Sequence, residues 1–166
     1  MIHGNINNIC LSLSSFERLR TEDKLYVDKT RMIENFLNSS SAVQLIARQR
    51  RLGKSMNMDM LRCFLTDKED LRHLFEGLYI ETSPVWEMAH SSPAFYFDFK
   101  ALTEDYRREI VMQVYRHVSS YVNPESLTGY FKLQFDHMVN NPEKGANAML
   151  LLTEIFMKQR ARNPTC

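Results

Sequence analysis

The run from Val43 to Met56 constrains the fold of this chain more than any other part of its 166 residues. The mainly apolar stretch 43–47 breaks into a basic loop, Arg48-Gln-Arg-Arg-Leu52, which ends in Gly53-Lys-Ser55. An apolar strand, a glycine-containing turn and the first turn of a helix form the layout of a phosphate-binding loop, or Walker A motif. The pattern therefore predicts a buried strand followed by a helix that starts at this glycine.

Each residue type in the motif has a chemical reason to be there. Gly53 lets the backbone approach an oxygen-rich ligand, and Lys54 supplies a movable cation for the terminal phosphates. Ser55 supplies a hydroxyl for Mg²⁺, and the first amides of the helix point at the anion. Arg50 and Arg51 are candidates for bidentate contacts with phosphate oxygens or with a nucleic-acid backbone.

The loop departs from the usual G-x-x-x-x-G-K-[ST] pattern, because Arg48 stands where the first glycine is expected. The context still favours a phosphate loop. Apolar residues follow the motif at helical spacing, namely Met56, Met60, Leu61, Phe64 and Leu65. The alternative is a solvated basic turn without a ligand.

The rest of the chain reads as strands and helices of one α/β domain over residues 1–166. Tyr26-Val27 predicts a short extended piece, and Asp28 or Thr30 can cap the helix after it. Thr66-Asp67 predicts the start of a helix that stops at Gly77, and Ala94 to Phe99 predicts a second buried strand. The last third predicts helices with three apolar stripes, which are Ile110, Val111, Val114, Val118, Tyr121 and Val122, then Leu127, Phe131, Phe135 and Met138, then Met149, Leu152, Ile155 and Phe156.

Several motifs in a fixed order resemble one family. Tyr26-Val-Asp-Lys-Thr30, the loop 48–55, Met58-Asp-Met-Leu-Arg-Cys-Phe64, Leu74-Phe-Glu-Gly-Leu-Tyr-Ile80 and Phe97-Asp-Phe-Lys100 are similar to motifs of the AAA-ATPase-like family. That family's phosphate loop is typically Arg-Pro-Arg-Arg-Phe-Gly-Lys-Ser, without the first glycine. In this chain Gln49 replaces the proline and Leu52 the phenylalanine.

The resemblance implies a partial P-loop NTPase (AAA-like) fold, with a parallel sheet flanked by helices and a helical C-terminal third. It implies ATP and Mg²⁺ as ligands and places Asp28 and Lys29 beside the nucleotide. Tyr26 and Phe16 are candidates to flank the adenine or to pack in the core. In this family a nuclease-like domain of the PD-(D/E)XK type often follows, so nucleic acid is an expected partner through that domain.

The family's Walker B strand, of the form Leu-Ile-Asp-Glu-Tyr-Asp, does not occur in this sequence. The chain stops at Cys166, about where that strand is expected, so we expect an N-terminal fragment that does not hydrolyse ATP. Asp98 ends an apolar run and is a candidate Mg²⁺ ligand, but Phe99 and Lys100 follow it in place of a catalytic glutamate. A buried acid satisfied by backbone or by a loop arginine is the interpretation we favour for Asp98.

Composition excludes several classes of protein. The chain is 44% hydrophobic and 25% charged, as in ordinary globular proteins, and its net charge of +1 argues against nucleic-acid binding through the overall field. No apolar run approaches the length of a membrane span, so we expect a cytoplasmic protein without a membrane partner. Cys10, Cys63 and Cys166 form no metal-binding pattern, and Cys63 is expected in the core.

We therefore predict a nucleotide-binding ATPase-like domain whose loop residues are Arg48, Arg50, Arg51, Gly53, Lys54 and Ser55. The alternative is a regulatory or binding fragment in which the basic loop grips nucleic acid or a partner protein without nucleotide.

Overall fold

The structure is a computed structural model that describes residues 1–9, 13–47, 49, 52–97, 99, 105–142 and 147–162, with side chains in the last range described to Lys158. The chain divides into two compact units, Met1–Tyr96 and Phe97–Cys166. Each unit has its own core and is described separately below. A single domain over residues 1–166 stays a prediction.

The described residues of the first unit form two short strands and three α-helices. The strands are β1 (Ile2–His3) and β2 (Tyr26–Val27). The helices are α1 (Phe16–Thr21), α2 (Arg31–Leu37) and α3 (Lys54–Leu65). Three 3₁₀ turns follow, at Arg72–Phe75, Tyr79–Thr82 and Pro84–Met88.

The parallel sheet predicted from the sequence is wrong for the described residues. Their only sheet pairs β1 with β2 in antiparallel register, Ile2 with Val27 and His3 with Tyr26. The predicted extended piece at Tyr26-Val27 is confirmed as β2.

Neither predicted parallel strand forms in the described residues. The stretch 43–47 has no strand structure, and its Val43 and Leu45 side chains are 85% and 92% exposed. Residues 94–97 and 99 are not strand either, whereas Asp98 lies outside the described residues. An apolar run becomes a parallel strand only where neighbouring strands pair with its backbone, and no described segment pairs with 43–47.

A cluster of aromatic rings forms the core of the first unit. Phe75 lies at its centre, with ring centroids 5.1 Å from Phe16 and 5.6 Å from Phe64. Trp86 is half-buried against Phe64 and Phe75. Cys63 is fully buried as predicted, and burial raises the pKa of its thiol to about 12.

The predicted helix from Thr66 to Gly77 is wrong. Helix α3 instead ends at Leu65. The next residue, Thr66, caps the helix by donating its N–H to the Arg62 carbonyl at 3.0 Å. The polar stretch 67–70 offers no apolar face for a first helical turn. The Asp70 carboxylate accepts the Arg72 N–H at 3.0 Å and starts a single 3₁₀ turn there.

A buried carboxylate on α3 fixes the start of α1. Asp59 Oδ2 accepts the N–H of Phe16 at 2.8 Å, and Asp59 Oδ1 accepts from Arg62 Nε at 2.8 Å. Both acceptor oxygens are therefore used, one by an otherwise unpaired amide at a helix N-terminus. This contact joins α1 to α3 through two residues that are 43 positions apart in sequence.

A second carboxylate ties the β2–α2 junction to the 3₁₀ turn at Tyr79–Thr82. Asp28 Oδ1 accepts the Thr30 N–H at 2.8 Å and the Thr30 hydroxyl at 2.7 Å, while Asp28 Oδ2 accepts the Tyr79 N–H at 2.8 Å. The buried Thr30 hydroxyl in turn accepts the Ile80 N–H at 3.2 Å. Partial burial would raise the pKa of Asp28, but these hydrogen bonds outweigh it and lower that pKa.

The second unit is helical, as the sequence predicted for the last third. Its helices are α4 (Tyr106–Tyr121), α5 (Gly129–Asn140) and α6 (Ala148–Arg162), with a 3₁₀ turn at Pro124–Ser126. Each apolar stripe supplies buried residues, among them Val111, Val114, Val118, Phe135, Met138, Leu152 and Ile155. Of the helices in the described residues, none combines the length and hydrophobicity that crossing a membrane requires.

Replacing Asp59 by alanine should lower the free energy of unfolding by about 2 to 3 kcal/mol, because it leaves a buried amide and a half-buried guanidinium without their acceptor. Urea unfolding followed by circular dichroism measures the loss. Glu22→Ala breaks the exposed Arg18–Glu22 pair of the same unit and should change stability little. Equal effects of the two substitutions would contradict the role of Asp59.

Replacing Asp28 by asparagine should destabilise the chain at pH 7 and much less in acid. A carboxylate whose pKa is lowered in the folded state adds stability above its unfolded pKa, and that stability is lost as the pH falls through the folded pKa. The stability difference between the wild-type chain and Asp28→Asn should therefore shrink from pH 7 to pH 3. A difference independent of pH would show that the Asp28 charge does not contribute.

Candidate functional site

The candidate site lies at the start of α3, where the loop turns into the helix. Gly53 takes a left-handed conformation, with φ 73° and ψ 23°, and its carbonyl accepts the first helical hydrogen bond from the Asn57 N–H at 2.9 Å. Glycine adopts this conformation more readily than residues that carry a side chain. The backbone geometry therefore favours glycine at this position of the motif.

Lys54 and Ser55 occupy the first two positions of α3, and both side chains are half-buried. The first N–H groups of an α-helix have no partner within the helix, and the helix dipole makes this end positive. Lys54 Nζ donates to the Gln49 carbonyl at 3.1 Å, which folds the lysine back over its own loop. Lys54 is thus held at the helix start, where an anion is favoured.

A second lysine reaches the same place from the β2–α2 junction. Lys29 Nζ lies 3.6 Å from the position that a Cβ atom on Gly53 would occupy. The N–H of Lys29 donates to the Tyr26 hydroxyl at 3.1 Å, and the side chain is exposed. The structure therefore brings together Lys29 and the Gly53-Lys54-Ser55 motif, which are 24 residues or more apart in sequence.

Asp28 and Tyr26, which the sequence also places near a nucleotide, make contacts within the protein instead. Both oxygens of Asp28 are engaged by Thr30 and Tyr79, so Asp28 shapes the turn that carries Lys29. The Tyr26 ring is buried edge-on against Phe16, and its hydroxyl donates to Met60 Sδ at 3.1 Å. Burial raises the pKa of Tyr26 to about 12. Neither the Tyr26 ring nor the fully buried Phe16 ring offers an exposed face to an adenine.

The remaining sequence candidates lie outside the described residues. These are Arg48, Arg50, Arg51 and Asp98. In the part of the chain that is described, no three His, Cys, Asp or Glu side chains group as metal ligands. The Ser55 hydroxyl fits a Mg²⁺ ion that takes most of its ligands from phosphate and water, which is the common mode for this metal.

Sequence reasoning missed two features of this unit. Asp59 was not assigned a role, although its spacing of one turn from Cys63 places it on the buried face of α3 and could have marked it as a buried acid. Arg31 was not singled out either. Its guanidinium lies 4.6 Å from the centroid of the Tyr79 ring. Because Tyr79 is 48 positions away from Arg31 in sequence, no sequence pattern predicts this contact.

Comparison with known proteins agrees with the motifs. A family model described as AAA-ATPase-like, predicted AAA-ATPase, matches residues 10–159. Searches of curated proteins and of solved structures gave no match. The family match spans the candidate site and most of both units, and on this basis the chain belongs to the AAA-ATPase-like family.

Proposed function

We propose that this chain binds ATP and that the loop ending at Gly53-Lys54-Ser55 holds its phosphates. The observation that carries the proposal is that Lys29 Nζ lies beside Gly53, where α3 begins with Lys54. Ammonium groups and helix amides that face the same region attract a polyanion more strongly than any of them does alone.

The contacts of Lys54 support this assignment. A backbone carbonyl is one acceptor for its ammonium, and a charged phosphate oxygen is a stronger acceptor for the same donor. Phosphate binding would therefore replace a contact with the neutral Gln49 carbonyl by one between opposite charges. Lys29 would approach from the β2–α2 junction and contact the same anion.

We propose that Arg48, Arg50 and Arg51 also contribute to nucleotide binding, with Arg50 and Arg51 as bidentate donors to phosphate oxygens. Mg²⁺, when bound with the nucleotide, would neutralise phosphate charge, and the Ser55 hydroxyl is the side chain at the helix start that suits it. The sequence has no acid beside Asp98 to orient a water, so we propose binding without turnover in this chain. We also propose a cytoplasmic location and contact with nucleic acid only through an associated nuclease-like domain.

Replacing Lys54 by alanine should weaken ATP binding by about 2 to 3 kcal/mol, because a charge-assisted hydrogen bond to phosphate is lost. Isothermal titration calorimetry of the two chains with ATP and Mg²⁺ measures the change. Lys132→Ala removes an equal charge from the pair with Asp136 on α5 and should leave the affinity unchanged. Lys29→Ala should weaken binding by a smaller amount.

Equal ATP affinity in wild type and Lys54→Ala would overturn the phosphate-loop assignment. The alternative function, in which the basic loop binds nucleic acid, predicts a different binding result. Single-stranded DNA would then bind without ATP, with an affinity that falls steeply with salt.

The chain should release no phosphate from ATP above the rate of a no-protein control, even when saturated with nucleotide. A coupled phosphate assay at saturating ATP and Mg²⁺ measures this. Steady release that disappears in Asp98→Asn would show that Asp98 belongs to a working magnesium site and that the proposal of binding without turnover is wrong.

A further inference from the structure

The Tyr26 hydroxyl connects the segment that contains Lys29 to helix α3. It accepts the N–H of Lys29 at 3.1 Å and donates to Met60 Sδ at 3.1 Å. Met60 is fully buried and belongs to the same helix that begins at Lys54. One hydroxyl group therefore contacts both the backbone of Lys29 and the helix whose first turn forms the candidate site.

The core holds the Tyr26 ring in a fixed position. The exposed fraction of Tyr26 is 5%, and its ring meets the fully buried Phe16 ring edge-on at a centroid distance of 5.6 Å. The Phe16 amide is in turn bound by Asp59, which lies on α3. Because close-packed side chains have little room to move, the hydroxyl cannot follow the Lys29 backbone if that backbone shifts.

The protonation state of the hydroxyl suits a permanent link. Burial raises the pKa of Tyr26 to about 12, so the group keeps at neutral pH the proton that it donates to Met60. A thioether sulfur is a weak acceptor, so the stronger of the two hydrogen bonds is the one that the oxygen accepts from the Lys29 amide. A buried amide that loses its acceptor destabilises its surroundings, which favours the observed position of Lys29.

Through Lys29 this link reaches the candidate site. Lys29 Nζ lies 3.6 Å from the position that a Cβ atom on Gly53 would occupy, and the lysine side chain is exposed. A fixed backbone limits the conformations over which the ammonium must be ordered when an anion binds, which lowers the entropic cost of binding. Asp28 fixes this turn against Tyr79, whereas Tyr26 fixes it against α3 itself.

We infer that Tyr26 is a positioning residue for the proposed phosphate site, because its hydroxyl fixes Lys29 relative to the start of α3 and thereby strengthens ATP binding. The inference rests on the proposed function, since it assumes that the anion binds where α3 begins. Tyr26 acts without contacting the nucleotide, because its ring is buried. Removing the hydroxyl should therefore cost no more ATP affinity than removing the Lys29 ammonium.

The test is a double-mutant cycle of Tyr26→Phe and Lys29→Ala, with affinities for ATP and Mg²⁺ measured by isothermal titration calorimetry. Tyr26→Phe keeps the ring in the aromatic core and removes only the hydroxyl, so it should weaken ATP binding several-fold. In the Lys29→Ala background the same substitution should change the affinity little, because the group that it positions is absent. Tyr115→Phe, which removes the hydroxyl of a half-buried ring in the second unit, is the matched control and should leave the affinity unchanged.

Met60→Leu measures the other end of the same link. Leucine keeps the apolar volume of this buried position and removes the sulfur that accepts from Tyr26. It should weaken ATP binding less than Tyr26→Phe does, and its effect should also disappear in the Lys29→Ala background. Circular dichroism checks that each variant is folded, and Met60→Leu replaces Tyr26→Phe in the cycle if the latter does not fold.

Losses of equal size in both backgrounds would overturn the inference, because they would show a general loosening of the core and no effect through Lys29. Unchanged affinity in both Tyr26→Phe and Met60→Leu, or in Lys29→Ala, would overturn it as well, while a loss in Lys54→Ala would still support the phosphate loop. Failure of the wild-type chain to bind ATP would overturn the proposed function together with this inference.

Discussion

The Asp28 carboxylate fixes the turn from which Lys29 reaches the candidate site. It accepts three hydrogen bonds, two from Thr30 and one from Tyr79, and so joins the end of β2, the start of α2 and the turn at Tyr79–Thr82. Lys29 and Arg31 project from this junction, one to Gly53 and the other over Tyr79. A charged acceptor with all its hydrogen bonds made within one domain is a strong constraint on backbone position.

Asp59 has the corresponding role on α3. Its carboxylate takes up the Phe16 amide at the start of α1, while the apolar residues around it pack into the aromatic cluster around Phe75. The same helix therefore leaves its first residues half-buried at the surface and buries its middle in the core. The contact between Asp59 and α1 fixes the position of the helix that begins at Lys54.

The sequence predicted those features that depend on local pattern. The helix after Gly53, β2 at Tyr26-Val27 and the helices of the last third follow from spacing and capping, and the structure has them. The strand at 43–47 does not form in the described residues, because apolar character alone cannot supply the neighbours that a parallel strand needs. The meeting of Lys29 with Gly53 and the stacking of Arg31 on Tyr79 join distant segments, so only the structure reveals them.

The stretch 43–47 exposes the side chains of Val43 and Leu45 to water, and no strand among the described residues pairs with it. Segments rich in β-branched and aliphatic residues, without proline or charge, are the ones that drive aggregation when they are exposed. The sequence sets Arg48 directly after this segment, and a positive charge at that position discourages stacking of like chains. The positive charge of the basic loop is therefore expected to reduce self-association of this protein in concentrated solution, apart from any role in binding an anion.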